Sequence, residues 1–199
     1  MNVPLALGAW LEIEPGWIPG PEADRLLDDL RAQLAWEQRE IVLYGKRILQ
    51  PRLIAWGGER PYRYSGQTLE PRALAPALVS VLEAVQARTH VPFNHVLANR
   101  YRDGMDSMGF HADDEAELGE NPQVATVSLG VTRRFVLRPR RGRDVEPLAY
   151  ELEHGSLLIM GGTCQRQYHH GIPRQPSVKG ERVSLTFRWL QANPEGETS

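Results

Sequence analysis

The chain has 199 residues, 41% of them hydrophobic, one cysteine and a formal net charge of −2 at pH 7. That suffices for one core and one domain spanning 1–199, and it excludes both a disulfide-stapled scaffold and a globally basic nucleic-acid binder. No apolar run approaches the ~20 residues of a membrane helix, and the opening Met1–Trp10 lacks a basic n-region, so a reducing, cytoplasmic setting is expected.

Residues 10–17 alternate loosely, as a short strand does. Pro21 suits the first turn of a helix, and Ala23, Leu26, Leu27, Leu30 and Leu34 recur at helical spacing, which predicts an amphipathic helix over 21–35. The texture changes from 36 to 66. Ile41-Val-Leu-Tyr44-Gly45-Lys46 predicts a strand ending in a turn. Gln50-Pro-Arg52, Trp56-Gly57-Gly58 and Pro61-Tyr62-Arg63-Tyr64-Ser65 then interleave aromatics with cations. Loops of that mixture suit stacking on bases and pairing with phosphates; they also suit ordinary packing. Leu74, Leu78, Val81, Leu82 and Val85 predict a second amphipathic helix over 74–88, with Pro71 or Pro76 in its first turn.

From Phe93 the period becomes two. Phe93, His95, Leu97, Asn99 and Tyr101 share one face of a strand. Further strands are predicted over 124–129, 134–138, 149–152, 156–160 and 182–190. A series of short strands implies a β-sandwich, jelly roll or barrel, with the two helices covering an outer sheet face. Residues 139–147 form a polar insertion, and the tail from Asn193 is expected to be disordered. Cations gather in two groups, from Arg39 to Arg72 and from Arg133 to Arg143. A basic face on a near-neutral molecule and solvated loop charges both fit.

Chemistry concentrates between Asn99 and Asp113. In His111-Ala-Asp113 the imidazole and carboxylate are one residue apart, so on an extended strand both point to one face. Another histidine arrives in Tyr168-His169-His170-Gly-Ile-Pro173. Two histidines and a carboxylate make the facial triad of a non-haem Fe(II) oxygenase, although His-x-Asp alone is common and a zinc hydrolase uses the same ligand types. In the last strand Arg182, Ser184, Thr186 and Arg188 share one face, and Val183, Leu185, Phe187 and Trp189 the other. The polar face either meets solvent or lines a cavity, where a dicarboxylate would answer both arginines.

Asn99-Arg-Tyr101, His111-Ala-Asp113-Asp114-Glu115, His154-Gly-Ser, His170-Gly-Ile-Pro and Arg182-Val-Ser-Leu-Thr-Phe-Arg188 occur here in order. In this the chain resembles, from about Trp36 to Leu190, the AlkB family of Fe(II)- and 2-oxoglutarate-dependent dioxygenases, and within it the branch that repairs duplex DNA. The resemblance implies an α+β fold with a double-stranded β-helix (jelly-roll) core and N-terminal helices packed on one sheet. It implies that His111, Asp113 and His170 bind Fe(II), with His170 rather than His169 because the motif places the ligand directly before Gly-Ile-Pro. Asn99 and Tyr101 would hydrogen-bond 2-oxoglutarate, and Arg182 and Arg188 would take its two carboxylates. Ser184 stands among these cofactor contacts where the family usually carries Asn. For substrate, Tyr44 resembles the hairpin tip that fills the space of a flipped base, Tyr62, Tyr64 and Ser65 the base pocket, Asp114 and Glu115 the groups facing the damaged base, and Arg52 a cation near the DNA backbone.

The implied activity is O2-dependent demethylation of bases such as 1-methyladenine and 3-methylcytosine, with release of formaldehyde and succinate. The target atom is inaccessible in a duplex, so the base must be flipped; the enzyme is expected to be a monomer. Two other readings compete. One is a 2-oxoglutarate-dependent hydroxylase acting on RNA or on a protein side chain, and the other a nucleic-acid-binding module without catalysis.

Overall fold

The computed structural model describes residues 1–43, 46–64, 66–140 and 146–191. The chain begins with strands β1 (Asn2–Pro4) and β2 (Ala9–Glu14) and helix α1 (Gly20–Gln33). Strands β3 (Glu40–Leu43), β4 (Lys46–Leu49), β5 (Leu53–Gly58), β6 (Tyr62–Tyr64) and β7 (Gln67–Leu69) lead to helix α2 (Pro76–Thr89). Then come β8 (His95–Tyr101), β9 (Met108–His111), β10 (Val124–Gly130), β11 (Arg133–Pro139), β12 (Leu148–Leu152) and β13 (Ser156–Gly162). The short helix α3 (Cys164–Gln167), β14 (Tyr168–Ile172) and β15 (Arg182–Arg188) complete the order. Pro21 and Pro76 occupy first turns, where a missing N–H is tolerated. His90, in the left-handed conformation, closes α2 just before Val91-Pro92.

A seven-stranded sheet runs β1-β2-β13-β10-β15-β8-β5, and a four-stranded sheet runs β12-β11-β14-β9. Alternation along the strands decides what each face meets. Val183, Leu185 and Phe187 of β15 join Ala125, Val127 and Leu129 of β10 in one cluster with Leu27 and Leu30 of α1 and Leu78, Val81, Leu82 and Val85 of α2. The opposite face of the large sheet sends Leu11, Ile13, Leu158 and Met160 against Phe135, Leu137, Leu152 and Tyr168 of the small sheet. The two sheets thus form a sandwich, with both faces of the large sheet buried. Polar residues of this inner layer, Asn99, Ser184 and His170 among them, line a cavity beside β14, and there the site lies.

Several strands were not legible in advance. Within the stretch 36–66, for which base stacking and ordinary packing both stood open, residues 53–58 and 62–64 are β5 and β6, and their aromatics are interior. Trp56 is buried, its indole N–H donates to the Glu70 carbonyl at 2.8 Å, and the guanidinium groups of Arg39 and Arg72 lie 4.7 and 3.5 Å from its ring centroid. The cation–aromatic pairing is real, but it is internal. β15 ends at Arg188, and Trp189 turns outward at 43% exposure instead of continuing the apolar face. Tyr44, Ser65, the centre of the 139–147 insertion and the tail from Asn193 lie outside the described residues.

The loop from β8 to β9 is tied down by Arg133, which is fully buried. Its guanidinium donates to the carbonyls of Asp103, Asp106 and Pro173, each at 2.9 Å. At Gly104 a Cβ would come 1.9 Å from the Gln175 carbonyl oxygen, so only glycine lets the two segments approach. These contacts fix β9 beside β14, with His170 directly across from His111.

Candidate active site

Three ligand atoms, one each from His111, Asp113 and His170, lie within 4.8 Å of one another. His111 ends β9, Asp113 follows two residues on, and His170 projects inward from β14. Its neighbour His169 points the other way, toward Arg140 and Asp114, as strand alternation requires. The His111 Nδ1 atom is 2.9 Å from the Gly109 carbonyl. A proton on Nδ1 makes that bond and leaves Nε2 as a lone-pair donor facing the cluster. Burial pushes His170 down to about 3 and also lowers His111, so both imidazoles are neutral and ready to ligate. Burial alone would raise the Asp113 carboxyl. The adjacent Arg188, His170 and His111 reverse this and hold it well below the usual carboxylate range. Arg188 Nη2 donates to Asp113 Oδ1 at 2.8 Å inside the sandwich. The His111 side chain is 29% exposed, whereas those of Asp113 and His170 are nearly closed off, so the cluster opens toward His111.

The polar face of β15 lines a cavity beside this cluster, with Asn99 and Tyr101 of β8 in the same wall. Ser184 lies between Asn99 and Ser128 across the sheet. Arg182 is buried and donates to Ser128 Oγ at 2.7 Å, yet its Nε and Nη1 find no partner among the described residues. Arg188 likewise leaves Nε and Nη1 unanswered, and Asp113 leaves Oδ2. Burial pushes Arg182 down to about 10. Leaving part of a buried guanidinium unpartnered costs on the order of several kcal/mol. A dianionic ligand held by Arg182 and Arg188, and a divalent cation held by His111, Asp113 and His170, would bring partners of the right charge to these groups. The residues present therefore fit Fe(II) and 2-oxoglutarate.

A second cavity opens on the far side of His111, walled by Ile41, Arg52, Tyr64, Met108 and Glu115. Glu115 reaches it, and burial with the nearby Asp113 raises its carboxyl. Tyr64 lines this cavity as expected, whereas Asp114, Tyr62 and Arg52 are placed differently. Asp114 points away and pairs with Arg140 at 2.7 Å, since it follows Asp113 directly and alternates to the opposite side. Tyr62 is fully buried behind Arg188, whose guanidinium lies 5.1 Å from its ring centroid, and packs on His95. Arg52 is no surface cation: it is 5% exposed and spends its donors on Asn99, Ser107 and Tyr64. Sequence reading missed Ser128 and Arg133. Ser128 was signalled by the polar alternation Thr126, Ser128 in β10; Arg133 carried no signal.

The model of the 2OG-Fe(II) oxygenase superfamily matches residues 11–188. The chain is 37% identical over 178 residues to the DNA oxidative demethylase ALKBH2 of Mus musculus, covering 84% of this chain and 74% of that one. The chain belongs to the AlkB family of 2OG-Fe(II) oxygenases. It is also 39% identical over 190 residues to the alpha-ketoglutarate-dependent dioxygenase alkB homolog 3 of Mus musculus, covering 92% of this chain. It spans 64% to 66% of the length of the rodent and human alkB homolog 3 proteins. The solved structure of OsALKBH1 shares the fold, with a TM-score of 0.63 at 17% identity, over 89% of this chain and 97% of that one. So does an oxidoreductase of the 2OG-Fe(II) oxygenase family from Burkholderia pseudomallei, at a TM-score of 0.59 and 19% identity over 92% and 86% of the two chains. The AlkB jelly roll is therefore the frame in which the cluster and its two cavities sit.

Proposed function

We propose that this AlkB-family protein is an Fe(II)- and 2-oxoglutarate-dependent dioxygenase that removes N-methyl groups from alkylated DNA bases. One observation carries the reading: a cluster of two neutral histidines and an ionised aspartate lies between a cavity with unanswered arginine donors and a cavity open at His111. His111, Asp113 and His170 would hold iron. Arg182, Arg188, Asn99 and Tyr101 would hold 2-oxoglutarate, with Ser184 small enough to leave it room. Bound there with O2, the pair supplies the oxidising equivalents that hydroxylate the methyl carbon while 2-oxoglutarate becomes succinate and carbon dioxide; the hydroxymethyl group then leaves as formaldehyde.

The chain's own residues do the rest. Arg188 keeps Asp113 ionised and oriented. Gly109 fixes the tautomer of His111. Tyr64 and Ile41 offer flat and apolar walls for a base extruded from the stack, and Glu115 sets a carboxyl group where a methylated, positively charged base is favoured over a neutral one. The hairpin β3–β4 lies next to this mouth through Ile41. We assign Tyr44, between its strands, to the gap left in the duplex.

The test is formaldehyde release from methylated duplex DNA, single-stranded DNA and RNA, each with and without 2-oxoglutarate. Release from DNA that requires 2-oxoglutarate is expected, with Tyr44→Ala lowering the duplex reaction more than the single-strand reaction. Release from RNA alone would move the substrate to RNA. Equal loss on both strandedness classes would remove Tyr44 from its assigned role.

A further inference from the structure

Arg52 is a buried cation that makes no ion pair among the described residues. Its charge is met by three neutral acceptors. Nε donates to Asn99 Oδ1 at 2.7 Å, Nη1 to the Ser107 carbonyl at 3.1 Å, and Nη2 to the Tyr64 hydroxyl. These partners belong to different parts of the site: Asn99 lines the cavity of Arg182 and Arg188, Tyr64 the cavity at His111, and Ser107 the loop that leads into β9.

We propose that Arg52 is a positioning residue that sets the donor side of Asn99 toward the cosubstrate and braces Tyr64 in the base pocket with the same guanidinium. The proposal rests on the reading of the first cavity as the 2-oxoglutarate site. An arginine N–H can only donate, so it must face the carbonyl end of the Asn99 carboxamide. The amide NH2 then points the other way. An anionic cosubstrate requires a donor there, and a flipped amide would present a lone pair to a carboxylate. Asn99 cannot choose this orientation alone, because its two ends have nearly the same size and shape. Lysine keeps the charge but lacks the planar fork that reaches Asn99 and Tyr64 together.

The test is a double-mutant cycle on 2-oxoglutarate binding, measured by calorimetry on the anaerobic full chain loaded with Mn(II), with Mn(II) affinity recorded alongside. Arg52→Met is expected to weaken 2-oxoglutarate binding by about tenfold or more, the loss of one charge-assisted hydrogen bond, while Mn(II) affinity is unchanged. Asn99→Ala gives a similar loss. The double variant is no worse than Asn99→Ala, because Arg52 acts through Asn99. Arg52→Lys restores less than half of the lost binding energy, and Tyr64→Phe leaves 2-oxoglutarate binding intact. Full additivity of the two single losses, or binding at the parent level in a folded Arg52→Met protein, overturns the proposal. If Arg52→Met does not fold, Arg52→Lys stands in for it in the cycle, with the same two outcomes deciding. If the parent protein itself does not bind 2-oxoglutarate, it is the cosubstrate reading that fails, and the cycle distinguishes this at its first corner.

Discussion

Replacing Arg182 by methionine should make the ligand-free protein more stable and the cosubstrate unable to bind. Arg182 is buried, has one hydrogen bond to Ser128 Oγ, and leaves two nitrogens unanswered among the described residues. Burial already pushes its pKa down to about 10, the sign that the charged form is penalised where it sits. Exchanging a poorly compensated buried ion for an apolar side chain of similar volume is stabilising by about 1–4 kcal/mol. The stranded Ser128 hydroxyl returns about 1 kcal/mol of that, which leaves the gain at the lower end. For a chain of this length each kcal/mol moves Tm by about 2–4 °C. Against this, a carboxylate on Arg182 makes charge-assisted bonds of about 1.5–3 kcal/mol each, so 2-oxoglutarate affinity falls by about tenfold or more per bond lost. The assay is thermal unfolding of parent and Arg182→Met with Mn(II), with and without 2-oxoglutarate. The variant should melt higher without ligand and show none of the ligand-induced rise. A lower ligand-free Tm would refute the claim that this arginine is held at a cost for binding, and a retained ligand-induced rise would refute its place in the cosubstrate site.

Asp113→Ala strips Arg188 of its buried partner and should destabilise the ligand-free protein by about 3–5 kcal/mol in urea unfolding, whereas His111→Ala, at the open side, should cost far less stability while abolishing Mn(II) binding. His170→Ala should abolish metal binding, and His169→Ala should leave it intact; the reverse pattern would reassign the ligand. Metal affinity should survive moderate acid. Burial lowers His111 and holds His170 near 3, so Mn(II) binding should fall less between pH 7.5 and pH 5.5 than at a site of ordinary imidazoles, which would each lose about tenfold. The sign for stability is opposite. His170 binds its proton in the unfolded chain near 6.5 but in the folded one only near 3, so its contribution is present above 6.5 and is lost as pH falls through that window.

Alternation along a strand made Arg182 and Arg188 legible as one face and bars His169 and His170 from facing one metal together, but the choice of His170 came from the Gly-Ile-Pro motif of the family. Asp113 lies two residues beyond the end of β9, yet reaches the same side as His111. The same rule, applied one residue further, would have placed Asp114 away from the substrate, where the structure has it pairing with Arg140. Trp56 and Tyr62 sit in strands that the sequence did not show for another reason. β5 is buried along nearly its whole length, and β6 is only three residues long, so neither carries an in–out pattern long enough to mark a strand. Arg52 was misread because its partners lie 12, 47 and 55 residues away. Periodicity says nothing about such contacts, and a cation in a loop-like sequence reads as surface until its acceptors are seen.

The central claim is that methyl removal is coupled to 2-oxoglutarate turnover at the His111–Asp113–His170 cluster. It is tested most directly by quantifying formaldehyde and succinate together from one anaerobically prepared, iron-loaded sample given 1-methyladenine-containing DNA and then O2. Equal amounts of the two products are expected, both absent without 2-oxoglutarate and both absent in His170→Ala. Formaldehyde formed without 2-oxoglutarate, or at undiminished yield in His170→Ala, would contradict the account.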